Sequence, residues 1–260
     1  RKEDFVRSLA NGLKILEAFA AGEPRMTLSE VARRTGLSRA SSRRMLHTLV
    51  HQGYATTDGR DFSLTPQVLN LGLGFSARGG LRDVLQPSLQ TLARTLDESS
   101  SASVLAGTEI VYIARVHTRR IMRMDLDVGT RLPAFATSMG RVLLGDLDRD
   151  DLRGTLLGGR RPQLTPTTVT DVDDLITIID EARKAGYAMV DQELEAGLRS
   201  VSVPVVHAQR GVVAAMNVST SAGLETADET LSRVLPTLRA AAAESSRNVE
   251  AWDRARELGS

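Results

Sequence analysis

The sequence predicts an α+β protein: an N-terminal winged helix-turn-helix, a linker helix, and a larger C-terminal domain around an antiparallel sheet. Three observations predict it. Two capped helices joined by Thr35-Gly36-Leu37 precede an Asp-Gly turn, a leucine stripe of helical spacing follows Pro66, and the apolar period changes from 3.6 to about 2 at Ser99. A length of 260 residues suits two domains.

In order along the chain, Leu9, Leu13, Leu16 and Phe19 or Ala20 recur at helical spacing, and Gly22-Glu23-Pro24 ends that helix. Thr27-Leu28-Ser29-Glu30 is a capping box, in which the threonine hydroxyl accepts from the third amide on and the glutamate reaches back. The helix it opens buries Leu28, Val31 and Ala32 and stops at Gly36. Ser38 caps the next helix, which is expected to bury Ala40, Met45, Leu46, Leu49 and Val50 before Gly53. Tyr54–Thr57 and Phe62–Leu64, around Asp58-Gly59-Arg60-Asp61, read as a hairpin, the wing. Leu81, Val84, Leu85, Leu89, Leu92 and Leu96 stripe one helix, in which Pro87 predicts a kink or restart. So apolar a stripe is expected to pair two chains. Strands are expected at Ala102–Leu105, Glu109–Val116 and Ile121–Val128, then helices at Ser138–Leu147 and Val172–Ala185. Strands Ser200–Val206 and Val212–Ser219 precede a last helix from about Asp228, with Pro236 as an irregularity. The expected limits are 1–67 for the winged domain, 68–98 for the linker and dimerisation helix, and 99–260 for the second domain.

Composition narrows the function classes. With no cysteine, the chain has no disulfide framework, no thiolate nucleophile and no Cys-ligated metal, and it suits a reducing cytoplasm. Five Phe, three Tyr and one Trp leave the core to Leu, Val, Ile, Ala and Met. The longest uncharged stretch, Gly211–Leu224, has 14 residues, short of the ~18 that suggest a membrane span. No signal-peptide pattern stands near the start, and a chain beginning at Arg1 is expected to lack some N-terminal residues. The net charge of +1 hides an asymmetry: residues 1–65 carry 11 Lys/Arg against 7 Asp/Glu, the remainder 22 against 25. Val31–His51 holds five arginines, two histidines and no acid, a footprint for a polyanion.

The expected partner of that block is double-stranded operator DNA. Ser38, Arg39, Ala40, Ser41, Ser42, Arg43, Arg44 and His47 lie at or along the second helix, whose first residues reach base edges when such a helix enters the major groove. Arginine can bond guanine bidentately, and flanking arginines hold phosphates. Thr27, Ser29 and the wing residue Arg60 are placed for backbone contacts. His47 and His51 have the i, i+4 spacing of a metal pair, but no third ligand is near, so no metal is expected. Gly72-x-Gly74-x-x-Ala77 imitates a dinucleotide fingerprint yet follows a wing, which makes it a junction. Neither a Gly-x-Ser-x-Gly elbow nor a triad is evident, so no catalytic residue and no cofactor are expected.

In the second domain, Thr137 or Ser138 capping a helix leaves the amides of Ser138, Met139 and Gly140 for an anion. Asn217 and Ser219 on one strand and Ser200 on another are small polar groups suited to one cavity, with Met122, Met124 and Leu132 as its apolar wall. Asp191, Glu193 and Glu195 alternate and read as solvated surface.

Five phrases, RSLANGLKILEAF (Arg7–Phe19), TLSEVARRTGLSRASSRRMLHTL (Thr27–Leu49), GTRLPAFATSMGRVLL (Gly129–Leu144), GYAMVDQELEAGLRSVSVPV (Gly186–Val205) and AAMNVS (Ala214–Ser219), closely resemble the IclR family of bacterial transcription regulators over nearly the whole chain. Within it they are most similar to the regulators of protocatechuate, 4-hydroxybenzoate and β-ketoadipate catabolism. The resemblance implies a GAF-like C-terminal domain that binds a small carboxylate, an aromatic acid or a β-ketoadipate-like acid. It implies a homodimer or a dimer of dimers, with RNA polymerase as a further partner. By family position the effector site falls on Ile121, Met124, Leu132, Ser138, Met139, Asp191, Ser200, Asn217 and Ser219. Ser138-Met139 stands where some members have Gly-Ala, and Ser200 where one has Cys. The expectation is a cytoplasmic, ligand-responsive DNA-binding regulator. The alternative is a metabolite-binding protein or enzyme whose winged domain mediates only protein contacts.

Overall fold

The computed structural model describes residues 5–20, 23–68, 71, 80–118 and 126–257. The chain divides into two units, Arg1–Arg78 and Gly79–Ser260.

The first unit contains α1 (Arg7–Ala20), β1 (Met26–Thr27), α2 (Leu28–Thr35), α3 (Arg39–His51), β2 (Ala55–Thr57) and β3 (Asp61–Leu64). The capping box forms: Glu30 N donates to Thr27 Oγ1, and the Thr27 amide donates back to the Glu30 carboxylate at 2.8 Å. Gly36 takes φ 68°, the left-handed turn an L side chain resists, and Ser38 accepts from Ser41 N to open α3. The wing gains a strand that the sequence does not signal, because the two-residue β1 pairs with β3 in the order β1-β3-β2. The Asp58 carboxylate closes the turn by accepting from the amides of Arg60 and Asp61. Ile15, Phe19, Met26, Val31, Leu46 and Phe62 form the core.

Two expectations shift in phase. On α1 it is Ile15 and Phe19 that are buried, whereas Leu9 and Leu13 are 63% and 49% exposed. Helical spacing defines faces without saying which one a partner covers. On α3, Ala40 is exposed because it lies about 120° round the helix from Leu46. Ser42, one turn before Leu46, is buried in its place.

The second unit contains α4 (Leu81–Leu96), β4 (Ser99–Ala106), β5 (Glu109–Val116), β6 (Arg131–Pro133), α5 (Ser138–Leu144), α6 (Arg149–Gly158), α7 (Val172–Ala185), β7 (Ala188–Asp191), β8 (Leu198–His207), β9 (Gly211–Ser221) and α8 (Ala227–Glu257). Six antiparallel strands run in the order β6-β5-β4-β9-β8-β7. Period-two alternation divides the side chains between two helical layers. Ala102, Val201, Val203, Met216 and Val218 pack with α4 and α8. Ile110, Tyr112 and Ala215 pack with α5, α6 and α7.

The leucine stripe is therefore consumed inside the unit. Leu85, Leu89 and Leu92 are fully buried against the sheet and against Val234 and Leu238 of α8, which removes the reason to expect this helix to pair two chains. α4 also runs unbroken through Pro87. The expected strand Ile121–Val128 does not appear in the part that can be seen: 126–128 belong to no strand, and Ile121, Met122 and Met124 lie outside the described residues. β6 instead forms at Arg131–Pro133 against Glu109–Val111. The expected helix Ser138–Leu147 stops at Leu144. α6 was hidden by Gly154 and Gly158, although Asp148 caps it and Leu152 and Leu156 anchor it.

Candidate nucleic-acid interface and ligand cavity

On α3, Arg39, Ala40, Arg43, Arg44 and His47 are exposed and Ser41 is half-buried. Among the described residues no carboxylate pairs with Arg39, Arg43 or Arg44. A helix face of unneutralised guanidinium groups is the electrostatic footprint of a phosphate backbone. Ser29 and Arg60 are exposed beside it in sequence order, while Thr27 is engaged in its cap. Ser38 spends its hydroxyl on the Ser41 amide. His47 lies edge-on to Phe62 of the wing, ring centroids 6.0 Å apart. Ser42 is the correction on this surface: fully buried between helices, it is out of reach of a duplex.

In the second unit a cavity opens between α5 and the strands β5, β7, β8 and β9. Its polar wall is Thr137, Ser138, Ser200, Asn217 and Ser219, and its apolar wall includes Leu126, Met139, Val190, Leu194 and Leu198, with Tyr112 beside them. The serine hydroxyls bond one another. Ser138 Oγ lies 2.6 Å from Ser200 Oγ and 2.7 Å from Ser202 Oγ, and Asn217 Nδ2 donates to Ser200 Oγ and Ser219 Oγ at 2.9 and 3.0 Å. Burial pushes the Tyr112 hydroxyl up to about 12, the nearby Arg115 opposing it, so this group stays neutral at physiological pH.

Ser138, Met139, Ser200, Asn217 and Ser219 thus come together, and three expected members do not. Asp191 points away: it pairs with Arg199 at 3.0 Å, while the neighbouring Val190 and Ser200 line the cavity. Alternation puts consecutive residues on opposite faces of the sheet. Leu132 packs into the core beneath the α5 layer. Gly140 is a packing residue: a Cβ there would stand 2.1 Å from the Ala134 carbonyl oxygen, and its amide already donates to Thr137 Oγ1. Ile121 and Met124 lie outside the described residues. Tyr112, Val190, Leu194 and Leu198 were missed because apolar residues on strands and loops look alike until the fold brings them together.

Two arginines on the elements that wall the cavity, Arg141 of α5 and Arg199 of β8, are spoken for. Arg199 also donates to Glu225 O and Thr230 Oγ1. Arg141, 2% exposed, donates from Nε to Phe135 O and makes a two-pronged pair with Glu193 at 2.7 and 2.6 Å. Glu193 is consequently no solvated surface acid. It is buried, accepts also from the Val169 amide, and its backbone carbonyl is held by Thr168 Oγ1 at 2.7 Å. These bonds fasten the 192–197 loop, which carries Leu194 into the cavity wall, to the helix that forms the floor.

Residues 8–59 match the family model described as the IclR helix-turn-helix domain, and residues 76–247 match that of the bacterial transcriptional regulator IclR C-terminal domain. The chain is 44% identical over 239 residues to the Pca regulon regulatory protein of Pseudomonas putida, covering 92% of this chain and 82% of that one. It is 36% identical over 244 residues to the p-hydroxybenzoate hydroxylase transcriptional activator of Acinetobacter baylyi, covering 92% and 90%. An IclR homologue from Microbacterium hydrocarbonoxydans, solved in complex with 4-hydroxybenzoate, superposes with a TM-score of 0.80 at 25% identity, covering 94% of this chain and 99% of that one.

Proposed function

The chain belongs to the IclR family of bacterial transcriptional regulators, and from that premise we propose that it controls the breakdown of an aromatic acid. It reads operator DNA through α3 and answers to a small aromatic carboxylic acid held in the cavity beside α5. The observation that carries the reading is this pairing of an unneutralised arginine face with a cavity ringed by serines and Asn217. The names of the relatives support the ligand class. Its family and relatives are transcriptional regulators, which sets aside the enzyme alternative. Among the described residues no helix is long and apolar enough to cross a membrane, and the proposed workplace is the cytoplasm.

With Arg141 and Arg199 already paired, the ligand's carboxylate is expected to rest on the backbone amides of Ser138 and Met139, the first of α5, which have no acceptor within the helix. Thermal-shift screening of aromatic acids, followed by titration of promoter DNA with and without the acid that binds, tests the proposal. A ligand that binds only the folded state must raise the melting temperature. If no aromatic acid does so, the ligand reading falls.

On the DNA side, Arg43→Ala and Arg39→Ala should each weaken operator binding tenfold or more, since a lost bidentate base contact costs about 1–3 kcal/mol per half-site. Both side chains are exposed, so melting temperatures should stay put. Gel-shift affinities that match the unaltered protein in both variants would mean that α3 does not read the operator.

The assembly proposed is a homodimer through α1 and the two residues before it, where Phe5, Val6, Leu9 and Leu13 are all exposed. Four exposed large apolar residues at and just before the start of one helix suit a second copy of the same surface. Leu9→Glu with Leu13→Glu should shift sedimentation toward monomer and lower operator affinity in step. A doubly substituted chain that remains dimeric would place the interface elsewhere.

A further inference from the structure

One buried polar atom of the cavity has nothing to bond. Asn217 is 3% exposed, both hydrogens of its Nδ2 are directed at serine hydroxyls, and its Oδ1 has no hydrogen-bond partner among the described residues. The observed sense of the amide is the economical one. Two neighbouring hydroxyls satisfy a two-hydrogen donor, whereas the reversed amide would strand two N–H groups instead of one oxygen. The serines do not fill the gap, because Ser200 and Ser138 are already bonded within their own cluster. An unmet buried acceptor is unfavourable until a ligand brings it a proton.

We propose that the cavity selects its ligand by a hydrogen-bond donor delivered to Asn217 Oδ1, so that hydroxylated aromatic acids are bound in preference to the same acids lacking an O–H. The inference rests on the reading above, that an aromatic carboxylic acid occupies this cavity. A keto or ether oxygen would set lone pairs against lone pairs at Oδ1, and a fluorine of nearly hydroxyl size would bring no proton. The keto acids allowed by the sequence alone are thereby disfavoured.

Calorimetric titration of the full chain with benzoate, 3- and 4-hydroxybenzoate and the two matching fluorobenzoates tests this. At least one hydroxy acid should bind about tenfold or more tightly than its fluoro counterpart, the ratio expected when a buried acceptor is left unpaired. In Asn217→Leu that ratio should fall to near unity, because the acceptor is gone; Asn217→Ala replaces it if the leucine variant does not fold. Equal affinity for hydroxy and fluoro acids overturns the inference while leaving an aromatic effector in place. So does a ratio that survives intact in a folded Asn217 variant. If none of the five acids binds, both the effector reading and this inference fall.

Discussion

Gly140→Ala is expected to destabilise the second unit by about 3 kcal/mol or more, at the upper end of what overpacking costs. The three atoms nearest an added Cβ would all be backbone, the oxygen of Ala134 at 2.1 Å, its Cα at 2.4 Å and its carbonyl carbon at 2.5 Å. No side chain can rotate aside to relieve such a contact. The turn Ala134–Ala136 and α5 would have to separate, and with them Thr137, whose hydroxyl caps α5 through the Gly140 amide at 3.1 Å. For a unit of this size the loss corresponds to a fall in melting temperature of roughly 6–12 °C. Ligand binding should weaken too, because Thr137, Ser138 and Met139 form the cavity floor. Gly154→Ala makes the internal contrast. It lies in the exposed middle of α6 with nothing within 4 Å of the added carbon, so it should gain about 0.5–1 kcal/mol from helix propensity. Calorimetry on the pair reads both signs, and a Gly140→Ala protein as stable as the parent would show that the turn can give way.

Much of the first unit is legible in the sequence because its signals are local. Thr27 and Glu30 are three residues apart, Gly36 follows its helix directly, and Asp58 closes a turn with Arg60 and Asp61. The polar wall of the cavity is half legible, since Ser200, Asn217 and Ser219 are small polar residues interrupting apolar strands. What escapes is decided by phase and by distance along the chain. A one-residue difference in facing sends Asp191 to Arg199 and Val190 to the cavity. The stripe on α4 is plain in the sequence, but what covers it, strands as distant along the chain as the one that carries Val218, and α8, is not. Glu193 reads as surface because its partner Arg141 stands 52 residues earlier on another element. A charge pattern in sequence reports solvation only where no fold-distant partner intervenes.

That pair carries the second large effect. Glu193→Ala should cost about 3–5 kcal/mol, because removing one member of a buried ion pair leaves the Arg141 guanidinium uncompensated in the interior. The Val169 amide loses its acceptor as well. Most of this cost comes from the stranded charge, so Arg141→Met with Glu193→Leu should be more stable than Glu193→Ala alone, and a double-mutant cycle over both positions would measure the coupling. Restored stability should not restore the cavity. The pair ties the loop carrying Leu194 to α5, and packed methylenes supply no two-pronged geometry to fix that spacing. An aromatic acid bound by the unaltered protein should therefore leave the doubly substituted one faster, at nearly parental melting temperature. Stopped-flow release measured beside calorimetry separates the two roles. Parental release from a stable double variant would mean that the pair only fills the interior, whereas fast release from it would mean that the pair sets how firmly the loop closes over the ligand.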